Sequence, residues 1–293
     1  MQVHLVDGTY ELFRQFYAPG GGHLNSEGVE VDATRRVLRS ILTLVEDGAT
    51  HVGVATDHVI ESFRNDLYPG YKTGEGVDPQ LKGQFTLLED VLRAAGFTVW
   101  DMVEYEADDA LAAAAAVAVA DPLVDRVVIC TPDKDLGQCL VDPKVVQYDR
   151  RAGEYRDAAG VVAKFGVEPG SIPDYLGLVG DNADGLPGLP GWGAKSASAV
   201  LYRYGHIEDI PLDSAEWDIP VRNAAKLARV LADQIREAVL YRRLATLETD
   251  VDVGTVEEWR WEGPTPALGE CCDYIDAPDA ARKAERLAAP LED

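Results

Sequence analysis

The stretch RVVICTPDKD, residues 126–135, joins a short apolar run to two aspartates and decides the predicted fold. The run at 126–130 is rich in β-branched residues and is typical of a buried strand. A second apolar run at 3–6 ends in the same way, at Asp7. A strand followed by an acid is therefore a repeated pattern in this chain.

Predicted strands and helices alternate through the first half of the chain. Further strands are predicted at 51–56, 97–100 and 145–148, and helices at 32–46, 79–95 and 106–120. Such alternation predicts an α/β protein with a parallel twisted sheet flanked by helices. Sheets of this kind place their sites beyond the carboxyl ends of the strands. We therefore expect acids that are distant in sequence to meet at one rim of the sheet.

Acidic residues recur in tight groups at these predicted strand ends and helix starts. The candidates are Asp7, Asp57, Glu106, Asp108, Asp109, Asp133, Asp135, Asp181 and Asp184. Carboxylates gathered in one pocket repel each other and need nearby positive charge to stay ionised. Mg²⁺ and Mn²⁺ prefer oxygen ligands, and Mg²⁺ keeps waters that substrate phosphate can replace. The pattern therefore predicts metal-assisted chemistry on phosphate.

Composition narrows the class of protein. The 293 residues carry a formal net charge of −24, which taken alone argues against nucleic acid, because phosphate binding usually shows as a basic footprint. Metal ions can neutralise part of this excess, and a basic strip can persist on an acidic body. No apolar run is long enough to span a membrane. The four cysteines lack zinc spacing, so we expect a reduced, cytoplasmic protein.

The pattern changes to short helices after residue 157. We predict a metal-dependent α/β domain at 1–157 with a short arch region at about 60–90, and a helical DNA-binding domain at 158–250. The remainder, 251–293, contains Trp259 and Trp261 and is predicted to be a packed extension without an assigned role.

A glycine-rich hairpin joins two of the predicted helices at 185–197. Gly191, Gly193, Lys195 and Ser196 stand at the start of the second helix. Glycines allow close approach of a phosphate, and the helix start offers free N–H groups. The alternative interpretation is a tight helical turn with no ligand. The position of the hairpin directly after Asp184 favours sequence-independent binding of a nucleic-acid backbone.

Several motifs together resemble a known family. They are Asp7-Gly8, Tyr71-Lys72, Glu106-Ala107-Asp108-Asp109, Thr131-Pro132-Asp133-Lys134-Asp135, and Gly180-Asp181-Asn182-Ala183-Asp184 followed by the hairpin. This ordered set, over about residues 1–250, resembles the structure-specific 5′-nucleases: bacterial flap endonucleases and the 5′–3′ exonuclease domain of DNA polymerase I. The resemblance implies a PIN-like nuclease core and a helix-hairpin-helix domain.

The resemblance also implies roles for the candidate residues. One metal ion would be served by Asp7, Asp57, Glu106, Asp108 and Asp109, and another by Asp133, Asp135, Asp181 and Asp184. It further implies that Lys72 and Arg64 reach the scissile phosphate, that Tyr71 stacks on a terminal base, and that hairpin carbonyls bind K⁺. The expected cofactor is Mg²⁺ or Mn²⁺, with two or more ions per active site. The expected partner is DNA, bound by a monomer that does not enter membranes.

Two departures from the family pattern affect these expectations. Family members usually carry basic residues after the Tyr-Lys pair, but here Thr73-Gly74-Glu75-Gly76 follows, which puts a fully basic arch that threads a 5′ strand in doubt. Pro190 stands in the hairpin where many relatives carry lysine, so it removes a charge and a backbone donor.

The expected function is metal-dependent hydrolysis near the 5′ ends of branched or duplex DNA, in replication and repair. One alternative is a branched-DNA binding protein without catalysis, although the acid set is complete. A second is a phosphatase of the haloacid dehalogenase type, which would require an aspartate where Leu5 stands. A compact metal-dependent ribonuclease would use the acids but would not need the helical domain.

Overall fold

The computed structural model describes residues 1–289. The strands are β1 (Gln2–Asp7), β2 (His51–Asp57), β3 (Thr98–Met102), β4 (Arg126–Cys130), β5 (Val145–Asp149) and β6 (Glu154–Arg156). The helices are α1 (Gly8–Phe16), α2 (Asp32–Glu46), α3 (Phe63–Leu67), α4 (Pro79–Lys82), α5 (Gln84–Ala94), α6 (Ala107–Ala120), α7 (Ala158–Phe165), α8 (Ile172–Val179), α9 (Ala194–Tyr204), α10 (Ala224–Asp233), α11 (Ile235–Ala245), α12 (Leu268–Tyr274) and α13 (Pro278–Ala288).

The chain divides into two units. The first contains Met1–Ile60, Gly74–Thr131 and the chain from Thr249 onward. The second contains Glu61–Thr73 and Pro132–Glu248. Helices α3 and α7–α11 and the strands β5 and β6 therefore belong to the second unit.

Four parallel strands form the centre of the first unit, in the order β3-β2-β1-β4. Val3, Leu5 and Val6 of β1 are completely buried, as are Val52 and Val54 of β2. Apolar runs buried on both faces are typical of parallel strands covered by helices. The predicted α/β class and the parallel pairing of these four strands are thus confirmed, and their carboxyl ends lie at one edge.

The second unit contains features that the sequence pattern did not predict. Strand β5 pairs antiparallel with β6, and β6 is absent from the predicted strands. By contrast, the periodicity at 221–247 predicts one long helix or two, and the structure has two, α10 and α11, which meet at Gln234. The sheet elements are therefore not all parallel.

Two predictions about helices in the first unit need correction. The stretch predicted as one helix at 79–95 is two segments, α4 and α5, on either side of Gly83. The helical spacing of Tyr10, Phe13 and Tyr17 predicts that these aromatic residues lie in the core, but Tyr17 follows the end of α1 and is 64% exposed.

The segment after residue 249 packs as part of the first unit. Trp259 is completely buried, and its indole donates to the carbonyl of Val253. Helix α13 is joined to α2 by a bidentate pair between Arg39 and Asp279, with N–O distances of 2.8 and 2.9 Å. That hydrogen bond lowers the pKa of Asp279 to about 2. The predicted packing of this extension is what the structure shows.

Candidate active site

Two groups of carboxylates stand out, one in each unit. We call the first the strand-end cluster, defined as Asp7, Asp57, Glu106, Asp108 and Asp109. We call the second the lysine-bridged cluster, defined as Asp135, Asp181 and Asp184.

Asp7 and Asp57 of the strand-end cluster are fixed at the carboxyl ends of adjacent strands. Asp7 caps α1, because its Oδ1 accepts from the backbone N–H of Tyr10 at 2.8 Å. Its Oδ2 accepts from the Thr131 hydroxyl, just beyond β4, at 3.1 Å. Asp57 accepts from the N–H of Ala107 at 2.9 Å, which ties the end of β2 to the start of α6.

The other members of the strand-end cluster occupy the first turn of α6. Glu106 and Asp109 form a capping box, in which Asp109 Oδ2 accepts from the N–H of Glu106 at 2.9 Å. Asp109 is completely buried, Glu106 nearly so, and Asp108 is partly exposed. The helix-capping role of Asp109 is therefore directly visible, and α6 brings its acids to the edge where β1 and β2 end.

The lysine-bridged cluster is built differently. Its three carboxylates are largely buried, and each offers an oxygen within 4.8 Å of the others. The Lys134 ammonium is in close contact with Asp181 Oδ2 and lies 3.7 Å from Asp135 Oδ1. The Lys72 ammonium lies 3.0 Å from Asp184 Oδ1. The charges that offset these acids come from flexible side chains.

Burial and crowding change the protonation of this cluster. Burial, followed by the nearby charges of Asp133 and Asp184, raises the pKa of Asp135 well above its ordinary value. Burial alone would lower the pKa of Lys134, but the charges of Asp135 and Asp181 outweigh it and raise that pKa. The lysine is therefore charged at neutral pH.

The oxygens of the lysine-bridged cluster fit a divalent ion. Asp135 Oδ1 and Asp181 Oδ2 are buried and receive no hydrogen bond of normal geometry from the described residues. Carboxylate oxygens are the ligands that Mg²⁺ and Mn²⁺ select. Asp133 lies beside this group and not within it. Its Oδ1 accepts from the N–H of Asp135 at 2.9 Å, which is a local turn contact.

A close backbone approach delivers Lys72 to Asp184. The N–H of Lys72 donates to the carbonyl of Asp184 at 3.0 Å. Gly185 makes this possible, because its φ is +75° and a Cβ there would lie 2.1 Å from the carbonyl oxygen of Gly70. Lys72 is therefore held to the Asp181–Asp184 turn by both its backbone and its side chain.

Two residues predicted to contact substrate lie in the interior instead. Arg64 is 1% exposed, and its guanidinium donates to the carbonyls of Leu244 and Thr246 at 2.8 and 3.0 Å. Tyr71 is 5% exposed, with the Lys72 ammonium 5.6 Å from its ring centre. The structure therefore assigns Arg64 to packing, and it does not present Tyr71 for stacking on a base. The sequence shows that Arg64 is basic and Tyr71 aromatic, but its periodicity does not show that both side chains are buried.

The glycine hairpin forms the predicted start of α9. Gly191 has a φ of +85°, which glycine adopts without strain, and Gly193 occupies the N-cap position. The hydroxyl of Ser196 accepts from the N–H of Gly193 at 3.1 Å, which closes the turn. Lys195 is exposed in the first turn of α9. Cation and helix start are thus presented together, as the sequence predicted.

A basic cavity beside the hairpin includes two residues that the sequence analysis missed. It has a volume of about 640 Å³, and its lining includes Lys195, Arg222 and Lys226. No aspartate or glutamate is among the described residues that line it. Arg222 and Lys226 are four residues apart at the start of α10. That spacing of two cations at a helix start, in so acidic a chain, is a signal that could have identified them.

Among residues 1–289, no helix is long and apolar enough to cross a bilayer.

Comparison with known proteins identifies the family of both halves of the chain. Residues 2–166 match the family described as 5′-3′ exonuclease, N-terminal resolvase-like domain, and residues 167–267 match 5′-3′ exonuclease, C-terminal SAM fold. A 5′-3′ exonuclease of Aquifex aeolicus is 32% identical over 87% of this chain and 85% of its own length. DNA polymerase I of Rhizobium leguminosarum is 32% identical over 92% of this chain, which spans only 28% of that polymerase.

The similarity extends to solved structures. A bacteriophage T5 flap endonuclease, solved as a pseudo-enzyme-product complex with DNA and metal ions, superposes with a TM-score of 0.68. The match covers 98% of this chain and 99% of that one at 17% sequence identity. At that identity the likeness concerns the fold.

Proposed function

The chain belongs to the 5′–3′ exonuclease family and is a nuclease, and from this premise we propose that it hydrolyses phosphodiester bonds near the 5′ ends of duplex or flapped DNA, in replication or repair. The observation that carries this proposal is the lysine-bridged cluster. Three largely buried carboxylates have oxygens within 4.8 Å of one another, and they match the oxygen chemistry of Mg²⁺ and Mn²⁺.

We propose divalent metal as the cofactor of both clusters, with Mg²⁺ or Mn²⁺ as the ion. When bound, such ions would activate a water and stabilise the attacking and leaving oxygens of an in-line displacement. The chain's own contribution is to hold the carboxylates. Backbone N–H groups fix Asp7 and Asp57, whereas Lys134 and Lys72 offset the charge of the lysine-bridged cluster.

Cationic side chains have two separate tasks in this proposal. Lys72 lies against Asp184 and is assigned to the scissile phosphate, where its charge offsets the negative charge that develops during reaction. Lys195, Arg222 and Lys226 surround the basic cavity and are assigned to the sugar-phosphate backbone of the duplex. Gly191, Gly193 and Ser196 shape the hairpin there, and its carbonyls are the proposed K⁺ ligands.

Three further elements complete the proposal. We propose that Asp133 supports the lysine-bridged cluster through its contact with the N–H of Asp135. A cytoplasmic location fits four cysteines without zinc spacing, and the monomeric state is proposed from the family resemblance. The domain limits at 157 and 250, and the arch at about 60–90, stay predictions.

The decisive test is cleavage of a fluorescent 5′-flap DNA before and after exhaustive chelation. The expected result is that chelation stops cleavage and that added Mg²⁺ or Mn²⁺ restores it, because the carboxylates alone repel phosphate. A 3′-flap DNA of the same sequence is the matched control and should be cut much less. Full activity after chelation would contradict metal dependence, and binding without cleavage at any metal concentration would favour a non-catalytic DNA-binding protein.

A further inference from the structure

One lysine lies between the acids that we assign to metal. Lys134 stands in sequence between Asp133 and Asp135, and its ammonium is in close contact with Asp181 Oδ2 and 3.7 Å from Asp135 Oδ1. Its side chain is 32% exposed, so the contact is partly sheltered from water. A lysine placed in this way faces the same two buried oxygens that would ligate an ion.

The charges of the lysine-bridged cluster show why this matters. Asp135, Asp181 and Asp184 together bring three negative charges, and Lys134 and Lys72 bring two positive ones. Asp133 beside them adds a fourth negative charge, so the total charge leaves room for a divalent ion. The conflict is local, because the ion and the Lys134 ammonium need the same oxygens of Asp181 and Asp135. Like charges a few ångströms apart in a partly buried site repel strongly, so the lysine opposes the ion.

Lys134 differs from Lys72 in what it contacts. The Lys72 ammonium pairs with Asp184, and its backbone N–H is also fixed, by the carbonyl of the same residue. Lys134 is bound to the cluster by its side chain, and it faces two carboxylates at once. An ion that takes oxygens from both Asp135 and Asp181 therefore has to displace the Lys134 ammonium.

We propose that Lys134 is a positioning residue that sets the divalent-metal affinity of the lysine-bridged cluster, because its ammonium competes with the ion for Asp181 and Asp135. The inference rests on the proposed metal dependence. It predicts that the cluster binds its ion more weakly than its three carboxylates would alone, and that ion binding releases the lysine.

The test is a Mn²⁺ titration of the DNA-free protein, in which free Mn²⁺ is followed by electron paramagnetic resonance. In Lys134→Gln, the dissociation constant of one class of Mn²⁺ should fall about tenfold, because one opposing charge a few ångströms away has been removed. Lys134→Arg keeps the charge and should bind as the wild type does. Asp181→Asn combined with Lys134→Gln should lose the gain, which places the effect at this cluster.

Lys283→Gln is the matched control. Lys283 is also paired with a carboxylate, Glu46, at 2.7 Å, but it lies on α13 in the other unit. Its replacement removes the same charge from the chain and should leave Mn²⁺ binding unchanged. A shift equal to that of Lys134→Gln would show an effect of net charge and would overturn the proposal.

A second measurement needs no variant, so it holds even if Lys134→Gln fails to fold. Acylation of lysines in the wild-type protein, read by mass spectrometry, should show higher reactivity of Lys134 when Mn²⁺ is present. Lys283 should react equally with and without the ion. Unchanged reactivity of Lys134 at saturating Mn²⁺ would overturn the competition.

The outcomes separate this inference from the proposed function. If the wild type binds Mn²⁺ and Lys134→Gln binds it with equal or lower affinity, the role of Lys134 is wrong and metal dependence stands. If the wild type binds no Mn²⁺, both the proposed metal dependence and the role of Lys134 are wrong.

Discussion

The strand-end cluster and the lysine-bridged cluster offset negative charge by different means. In the first, Asp7, Asp57 and Asp109 each accept a backbone N–H, at 2.8 to 2.9 Å. In the second, the ammonium groups of Lys134 and Lys72 face the carboxylates. Backbone donors at a helix start are fixed when the chain folds, whereas lysine side chains have many rotamers and can leave.

This difference implies different tasks for the two clusters. The strand-end carboxylates are already oriented, so an ion there would find its ligands in place. In our proposal the lysine-bridged carboxylates exchange one cation for another, so their occupancy should respond to metal concentration and pH. The following experiments separate the clusters by these properties.

The largest effect is expected at the strand-end cluster. Asp7→Asn keeps an oxygen that can cap α1, because asparagine and aspartate are similar N-caps, but it removes the ligand charge. The single-turnover rate on 5′-flap DNA should fall by about a thousandfold, the upper end of what loss of one electrostatic group costs. The rate is measured in quench-flow at saturating enzyme.

A matched control for Asp7→Asn is Asp157→Asn. Asp157 also caps a helix, α7, through the N–H of Gly160 at 2.8 Å, and no metal role is assigned to it. Its rate should stay within about twofold of the wild type. Comparable losses in both variants would show that helix capping, and not metal binding, explains the defect.

A smaller loss is expected when the lysine-bridged cluster is broken. Asp181→Asn should lower the single-turnover rate by about a hundredfold. DNA affinity should stay the same or improve, because a negative charge near the substrate is lost. Higher Mn²⁺ should recover part of the rate in Asp181→Asn and none in Asp7→Asn. Fluorescence anisotropy gives the affinity, and near-wild-type turnover would place Asp181 outside the site.

The sequence predicted the sheet centre well because its rules are local. Helix α2 and strand β4 begin and end at the predicted residues, since their apolar periodicity and flanking acids leave little choice. Strand β6, only three residues long, carries no comparable signal. The periodicity at 221–247 left one helix or two open, because both halves have helical periodicity.

The site was predicted less evenly for a physical reason. The spacing of acids shows which residues can gather at strand ends, but burial depends on tertiary packing. Arg64 and Tyr71 were therefore assigned to substrate, whereas they lie in the interior. Arg222 and Lys226 went unnoticed because the hairpin meets them only in the folded chain. The pairing of Lys134 with Asp181 and Asp135 likewise depends on how distant parts of the chain fold together.

A third comparison separates residues that affect the catalytic rate from residues that affect DNA binding. Lys72→Ala should lower the single-turnover rate at saturating enzyme by about tenfold or more, because its charge acts at the reacting phosphate. The double variant Arg222→Ala/Lys226→Ala should weaken duplex binding by about tenfold and reduce the salt slope by about two, while the saturated rate holds. Lys195→Ala should resemble the double variant, with a smaller loss.

Arg229→Ala controls for the loss of positive charge on α10. Arg229 lies on the same helix, is exposed, and is not among the residues that line the basic cavity. The Arg229→Ala variant should bind duplex DNA with the same affinity as the wild type. Equal weakening in Arg229→Ala would mean that overall charge, and not the cavity, governs affinity.

The smallest effect concerns pH. Burial and neighbouring acids raise the pKa of Asp135, so this carboxyl takes up its proton at a higher pH than an ordinary aspartate does. Because the proposed ligand is the charged form, Mn²⁺ affinity of the lysine-bridged cluster should fall as the pH is lowered, beginning at a higher pH than an ordinary aspartate would give. The Mn²⁺ affinity of the strand-end cluster should change less with pH. Two Mn²⁺ classes with parallel pH dependence would contradict this difference.

The central claim, that both clusters hold divalent ions, is tested most directly by anomalous diffraction from crystals soaked in Mn²⁺. The account predicts one peak among Asp135, Asp181 and Asp184, with the Lys134 ammonium moved away from Asp181. It predicts a second peak beside Asp7 and Asp57, with the backbone contacts of both aspartates retained. The absence of a full-occupancy peak at both clusters would contradict the claim. An ion bound at the lysine-bridged cluster while Lys134 stays in contact with Asp181 would contradict the proposed competition.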